Sequence, residues 1–251
     1  MRNIAAIILG RKGSKGVKDK NLKTIGGHSL VERALFTALG CDQIDRIIVS
    51  SDSNEIISLI NQYGDYAPFI RPSELASDKA GSQGVIQHAL EWAEKEDNKE
   101  YDHIVLLEPP SPFRLPKHIE EALEIGRRRA ATSVMSVVAV GDYHPIRMKK
   151  MDNNGALSGF FMQEPDGIRR QDQEPAYIRN CTVYIFYRVT ILSGQLWGDS
   201  PYGYLMDRYL YGINIDEPID LLTARSYYDE MLKKDSLELI EFIPKELLGI
   251  Q

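Results

Sequence analysis

Short apolar runs alternate with amphipathic segments along most of the chain, a pattern that predicts βα units around a mostly parallel sheet. Strands are expected at Ile4–Leu9, Arg46–Ser50, Pro68–Arg71, His103–Leu107 and Ser133–Val140. Ile56, Ile57, Ile60 and Tyr63 recur at helical spacing, as do Leu115, Ile119, Ala122, Leu123 and Gly126, so both sets read as crossover helices. Gly81 to Glu96 reads as another, and Ser51 and Asp52, at the tip of the second strand, are expected to cap the helix that follows them. Asp216-Glu217-Pro218 opens a last long helix, proline being tolerated in a first turn, with Leu221, Leu222, Arg225 and Tyr228 as its inward stripe. Between about Gly141 and Tyr177 the helical pattern stops and Met, Asn, Gly, Asp and Arg take over, which fits an inserted hairpin lobe.

Composition narrows this to one folded α/β domain over residues 1–251, with 141–177 as the insertion. Hydrophobic residues at 43% and charged residues at 26% lie near globular averages, which excludes a disordered or fibrous chain. No apolar run approaches the roughly 18 residues of a membrane span, and the opening segment has no signal-peptide pattern, so a cytoplasmic protein without a membrane partner is expected. Cys41 and Cys181 stand far apart without metal-ligand spacing and read as packing residues. With a formal net charge of -6, nucleic acid is not the expected ligand.

One segment runs against that acidic balance. From Arg11 to Lys23 there are six basic residues, Arg11, Lys12, Lys15, Lys18, Lys20 and Lys23, against the single acid Asp19. Its glycines let backbone N–H groups turn toward an anion, and it leaves the first strand at the sheet edge where open α/β folds bind ligands. Phosphate is therefore the expected ligand, although a solvated lysine-rich turn would read the same way in isolation. Glycines at 10, 13 and 16 match neither the dinucleotide fingerprint nor the P-loop.

"GRKGSKGVKDKNL" is followed in order by "RIIVSSDS", "RPSELASDKAGS", "LLEPPSPFR", "RRQDQEPAYIRNCTVYI" and "INIDEPIDL". Together these segments resemble the acylneuraminate cytidylyltransferases, the CMP-sialic acid synthetase family. The resemblance implies a Rossmann-like nucleotidyltransferase domain with a small dimerisation lobe, acting as a homodimer. It implies that the C2 hydroxyl of a nine-carbon acid sugar attacks the α-phosphorus of CTP, with Mg2+ as cofactor. By motif match, Arg11, Ser14, Lys15 and Lys20 would hold the triphosphate, and Asn21, Arg71 and Ser82 the cytidine. Glu108, Arg170, Arg179, Asn180 and Tyr184 would face the sugar, and Arg147, in "YHPIRM", would reach a partner's site. Asn214 and Asp216 would hold the metal. CMP-Kdo synthetase, a sugar-1-phosphate nucleotidyltransferase and a non-catalytic nucleotide-binding homologue are the alternatives. The chain to Gln251 is expected to lack the C-terminal hydrolase-like domain of some relatives.

Three positions depart from the family pattern: Glu108 for glutamine, Cys181 for glycine, and Asn214 for the first aspartate of a DxD pair. Alternation along a strand still puts positions 214 and 216 on one face, with the asparagine carbonyl as a neutral ligand. The five histidines do not cluster, so no general base stands out.

Overall fold

Strand residues two apart share a face, and the apolar runs of this chain supply both faces at once. In β1 (Ile4–Leu9), Ile4, Ala6 and Ile8 enter one core while Ala5 and Ile7 enter another. β4 (Arg46–Ser50) and β5 (His103–Leu107) divide in the same way, so the sheet is buried on both sides. The computed structural model describes residues 3–77 and 81–247. The lengths left between these strands are filled by the helices that cover them.

Two short strands, β2 (Thr24–Ile25) and β3 (His28–Ser29), form a ribbon leading into α1 (Leu30–Leu39). On the α1 side, α2 (Asn54–Ile60), α5 (Pro116–Arg129) and α8 (Pro218–Lys233) complete the layer. On the other side, α4 (Ser82–Asp97) and the short α6 (Arg188–Leu192) cover the sheet, while α3 (Ser73–Ala76) and α7 (Arg208–Tyr211) are single turns. With β6 (Ser133–Ala139), β9 (Tyr177–Tyr187) and β10 (Pro201–Leu205), the main sheet has the order β10-β6-β9-β5-β1-β4. Every pairing in it is parallel except those of β9, which runs antiparallel between β5 and β6. A hairpin of β7 (Lys149–Met151) and β8 (Leu157–Gly159) lies within residues 141–177.

Four expectations are corrected, one of them the strand expected at 214–216, where the backbone is irregular and forms no strand. Pro68–Arg71 is not a strand: it is tied to the sheet edge by Arg71 N–H donating to Ser51 O at 2.7 Å and by one bridge at Ile70. Pro68 has no N–H to extend a ladder and Pro72 locks the backbone just beyond it. Ser53, not Ser51 or Asp52, caps α2, its Oγ accepting from Ile56 N–H at 3.4 Å. The N-cap of α8 is Glu217, and its buried stripe is Leu221, Ala224, Tyr228 and Met231. Leu222 is 60% exposed and Arg225 points outward, because each sits about 100° around the helix from the stripe residue before it. β9 and β10, which the pattern did not single out, complete the sheet.

Candidate active site

The basic loop is anchored at both ends. Gly10 N–H donates to Ser50 O at 3.0 Å, and the buried Asn21 donates its Nδ2 to Arg11 O at 2.9 Å, closing the loop on itself. Between them Gly13 takes a positive φ of 75°, which admits glycine freely. Gly16 is needed for a different reason: a Cβ there would lie 2.0 Å from the carbonyl oxygen of Asp216. The loop therefore rests on the 214–217 segment, 200 residues on in sequence.

That contact brings the charges together. Lys20 Nζ lies 2.9 Å from Asp216 Oδ1, and Asn214 donates its Nδ2 to Asp216 Oδ2, also at 2.9 Å. Positions 214 and 216 thus share a face. Ile215 N–H donates to Pro110 O at 2.8 Å, so the loop after β5 docks on the same segment. The Ser111 hydroxyl faces Asn180 O at 2.7 Å and Asn214 Oδ1 at 3.3 Å, linking β9 to it as well.

The result is a cleft of about 720 Å³ at the carboxyl edge of β1, β4 and β5. Arg11, Ser14, Lys15 and Lys20 line it from the basic loop, and Asn214 and Asp216 from the far segment. Asn21, Arg71, Ser82 and Glu108 complete the expected residues that meet there, joined by Cys181. Leu9, Leu75 and Val85, which no polar motif reveals, add an apolar wall beside Arg71 and Ser82. Residues 78–80 of the "RPSELASDKAGS" segment lie outside the described residues.

The other expected residues are placed differently. Asn180 is buried, its Nδ2 donating to Tyr211 O at 3.0 Å, so it fastens β9 to α7 and does not line the cleft. Tyr184 is also buried; its hydroxyl meets Cys181 Sγ at 3.2 Å, one layer behind the cleft wall. Arg179 is exposed on β9 and its guanidinium lies 5.4 Å from the Trp197 ring centre. Arg147 stands in the lobe with Asp142 at 3.4 Å. Arg170 opens a 3-10 turn, and its side chain lies outside the described residues.

Two arginines organise the floor. Arg71 donates its Nε to Ser50 Oγ at 3.0 Å and its Nη2 to Ser50 O, and burial brings its guanidinium down to about 10 despite Asp52 nearby. Arg114, which the motif match did not pick out, is fully buried and donates to the backbone carbonyls of Glu108 and Ser111. Its sequence signal was its place at the end of "LLEPPSPFR", two residues before the Pro116 that opens α5. Burial raises the Glu108 carboxyl, opposed by the Cys181 thiol's hydrogen bond and by Arg114, Arg179 and Lys20. The same burial, with Glu108 adjacent, pushes the Cys181 thiol up to about 11, which keeps it protonated. No described histidine lines the cleft.

Among the described residues no three His, Cys, Asp or Glu side chains converge as a self-sufficient metal site. Magnesium carried by a polyphosphate needs only one or two protein oxygens, keeping water and phosphate for the rest. Asp216, 67% exposed at the cleft, and the adjacent Asn214 carbonyl fit that limited demand.

Residues 5–186 match the sequence profile of the family described as Cytidylyltransferase. The chain is 32% identical over 217 residues to an N-acylneuraminate cytidylyltransferase of Oncorhynchus mykiss, covering 86% of this chain and 48% of that protein. It is 30% identical over 224 residues to a CMP-N,N'-diacetyllegionaminic acid synthase of Legionella pneumophila, covering 86% and 92%. It thus spans about half the length of the former and nearly all of the latter. Among solved structures, a CMP:2-keto-3-deoxy-manno-octonic acid synthetase complexed with CTP superposes with a TM-score of 0.66 at 15% identity, covering 91% of this chain and 99% of that one, a likeness of fold.

Proposed function

The chain belongs to the cytidylyltransferase family, and on that premise we propose that it activates a nonulosonic acid with CTP, giving CMP-sugar and pyrophosphate. The observation that carries this reading is the seating of Gly16 on Asp216, which brings the basic loop and the exposed carboxylates of Asp216 and Glu217 to one cleft. Arg11, Ser14, Lys15 and Lys20 hold the triphosphate, their charge offsetting what builds on the leaving pyrophosphate. Asn21, Arg71 and Ser82 hold the cytidine against the apolar wall. The C2 hydroxyl oxygen bonds to the α-phosphorus, the bond from that phosphorus to the bridging oxygen breaks, and the hydroxyl proton leaves to solvent.

Asp216 and Asn214 would hold Mg2+, which when bound neutralises phosphate charge. Glu108 and Arg179 face the sugar, with Asn180 and Tyr184 supporting them from behind. Residues 1–251 act as one catalytic domain, and the 141–177 lobe mediates a homodimer, its exposed Tyr143, Met151, Leu157 and Phe161 being the covered face. Arg147 of that lobe serves the partner's cleft, and Arg170 is kept as a sugar residue. No described helix is long and apolar enough to cross a membrane. The cytoplasm, where CTP is made, is the proposed compartment.

Pyrophosphate release from CTP with Mg2+, across nonulosonic acids, Kdo and sugar 1-phosphates, tests the reading. Release with a nonulosonic acid and CTP, but not with UTP, ATP or GTP, is the expected result. Release with Kdo alone, or CTP binding without turnover of any sugar, overturns it.

A further inference from the structure

Two of the three departures from the family motifs touch one another: the Cys181 thiol is hydrogen-bonded to the Glu108 carboxyl in the cleft wall beside Pro109 and Pro110. Cys181 holds a φ of 60°, a backbone conformation that disfavours any side chain but glycine's, so the thiol is presented there against local preference. A thiol is a weak donor, and it leaves most of a carboxylate's acceptor capacity unfilled.

Arg114, Arg179 and Lys20 act on Glu108 through their charge, but the hydrogen bonds they make go to other groups, and Arg114 Nη1 is buried without a partner among the described residues. Arg114 gives its Nε and Nη2 to backbone carbonyls of Ser111 and Glu108, Arg179 lies over the Trp197 ring, and Lys20 is bonded to Asp216. Tyr184 points its hydroxyl at Cys181 Sγ. Glu108 therefore presents a half-buried carboxyl to the cleft whose hydrogen-bond partner among the described residues is the weak donor Cys181.

We propose that Glu108 selects a sugar bearing a positively charged nitrogen substituent, an ammonium or amidinium, over one bearing a neutral amide or hydroxyl at the same ring position. This rests on the function proposed above and specifies its substrate class. A glutamine carbonyl at this position would accept from a neutral N–H or O–H as readily as a carboxylate does. Only a charged donor separates the two, because a charge-assisted hydrogen bond is roughly twice as strong as a neutral one.

The test compares kcat/KM for pyrophosphate release with nonulosonic acids identical except at one ring nitrogen, as N-acetyl, acetamidino and free amine. Wild-type protein is expected to favour a cationic form by about tenfold or more. Glu108→Gln is expected to level or reverse that ranking while binding CTP as wild-type does. Faster turnover of the N-acetyl sugar by wild-type protein, or an unchanged ranking in Glu108→Gln, overturns the proposal. Wild-type protein that binds CTP and turns over no nonulosonic acid overturns the reading beneath it instead.

Discussion

At the scale of single residues, glycine and aspartate across the loop contact make separable predictions. Gly16→Ala drives a methyl into the Asp216 carbonyl, backbone against backbone, with no flexible side chain to yield. Overpacking of this kind costs about 1–3 kcal/mol, or a few degrees of Tm in a chain of this size. Calorimetry should show that loss and a CTP titration at least a roughly tenfold weakening, since Lys20 is displaced from Asp216; an unchanged Tm would place the loop elsewhere. Asp216→Asn should behave oppositely. Its carboxylate is 67% exposed, so stability should change by less than about 1 kcal/mol, while pyrophosphate release should be abolished. Near-normal turnover in that variant would remove Asp216 from the site. The sequence made the glycines of the loop visible, but not why Gly16 is one of them. Its constraint is a close approach to a residue 200 positions away, which no local pattern encodes.

Elements were legible where one face is apolar and the other wet. Helices α4 and α5 announced themselves that way, whereas α1 did not, because Leu30 through Ala38 are all buried, Glu32, Arg33 and Thr37 included. Such a helix carries no amphipathic stripe, and its polar residues are satisfied only through tertiary partners: Glu32 by Tyr63 at 2.6 Å, Arg33 by Pro112 O at 3.0 Å and by Glu241. β9 was hidden for another reason. Its alternation is broken at Asn180 and Cys181, where the register with β6 shifts between Met135 and Val137. Helix α5 also carries a pH dependence. His118 is buried three residues into it, with Nδ1 accepting the Leu115 N–H at 3.0 Å, and burial, with Lys117 and Arg114 adding, lowers its pKa to about 3. Above about 6.5 the ring is neutral whether the chain is folded or not. Below that value the unfolded chain binds a proton that the folded chain refuses, so stability falls as pH drops toward 3. From pH 6.5 to 5 this one group should remove roughly 1.5 kcal/mol. Denaturant melts at the two pH values should show that loss in wild-type protein and a smaller one in His118→Asn, whose carbonyl can still accept from Leu115; equal slopes would mean that His118 is protonated in the fold.

For the whole molecule, a net charge of -6 coexists with a six-cation loop because charge is segregated rather than balanced, and the loop faces its own cleft. The half of the cleft built by the basic loop was readable, since its residues cluster within that loop and the 214–217 segment on which it rests. The residues expected at the sugar were less so: Asn180 and Tyr184 turn inward to hold β9, and Arg147 stands in the lobe beside Asp142. That division yields a test of assembly that does not depend on which sugar is used by the enzyme. In the proposed homodimer, a chain with Arg147→Ala lacks the residue it would lend and a chain with Asp216→Asn lacks the Asp216 carboxylate of its own cleft, so each homodimer should be inactive. In a mixed dimer, one cleft has an intact Asp216 and receives an intact Arg147 from its neighbour. Random pairing makes about half the dimers mixed, with one good cleft in each, so co-refolding equal amounts should restore about a quarter of the wild-type rate. Adding Met151→Glu and Leu157→Glu, paired on the exposed face of the hairpin, should abolish both the dimer in sedimentation and this rescue. Rescue that survives in monomers, or a mixed dimer without rescue, would mean that Arg147 serves no neighbouring cleft.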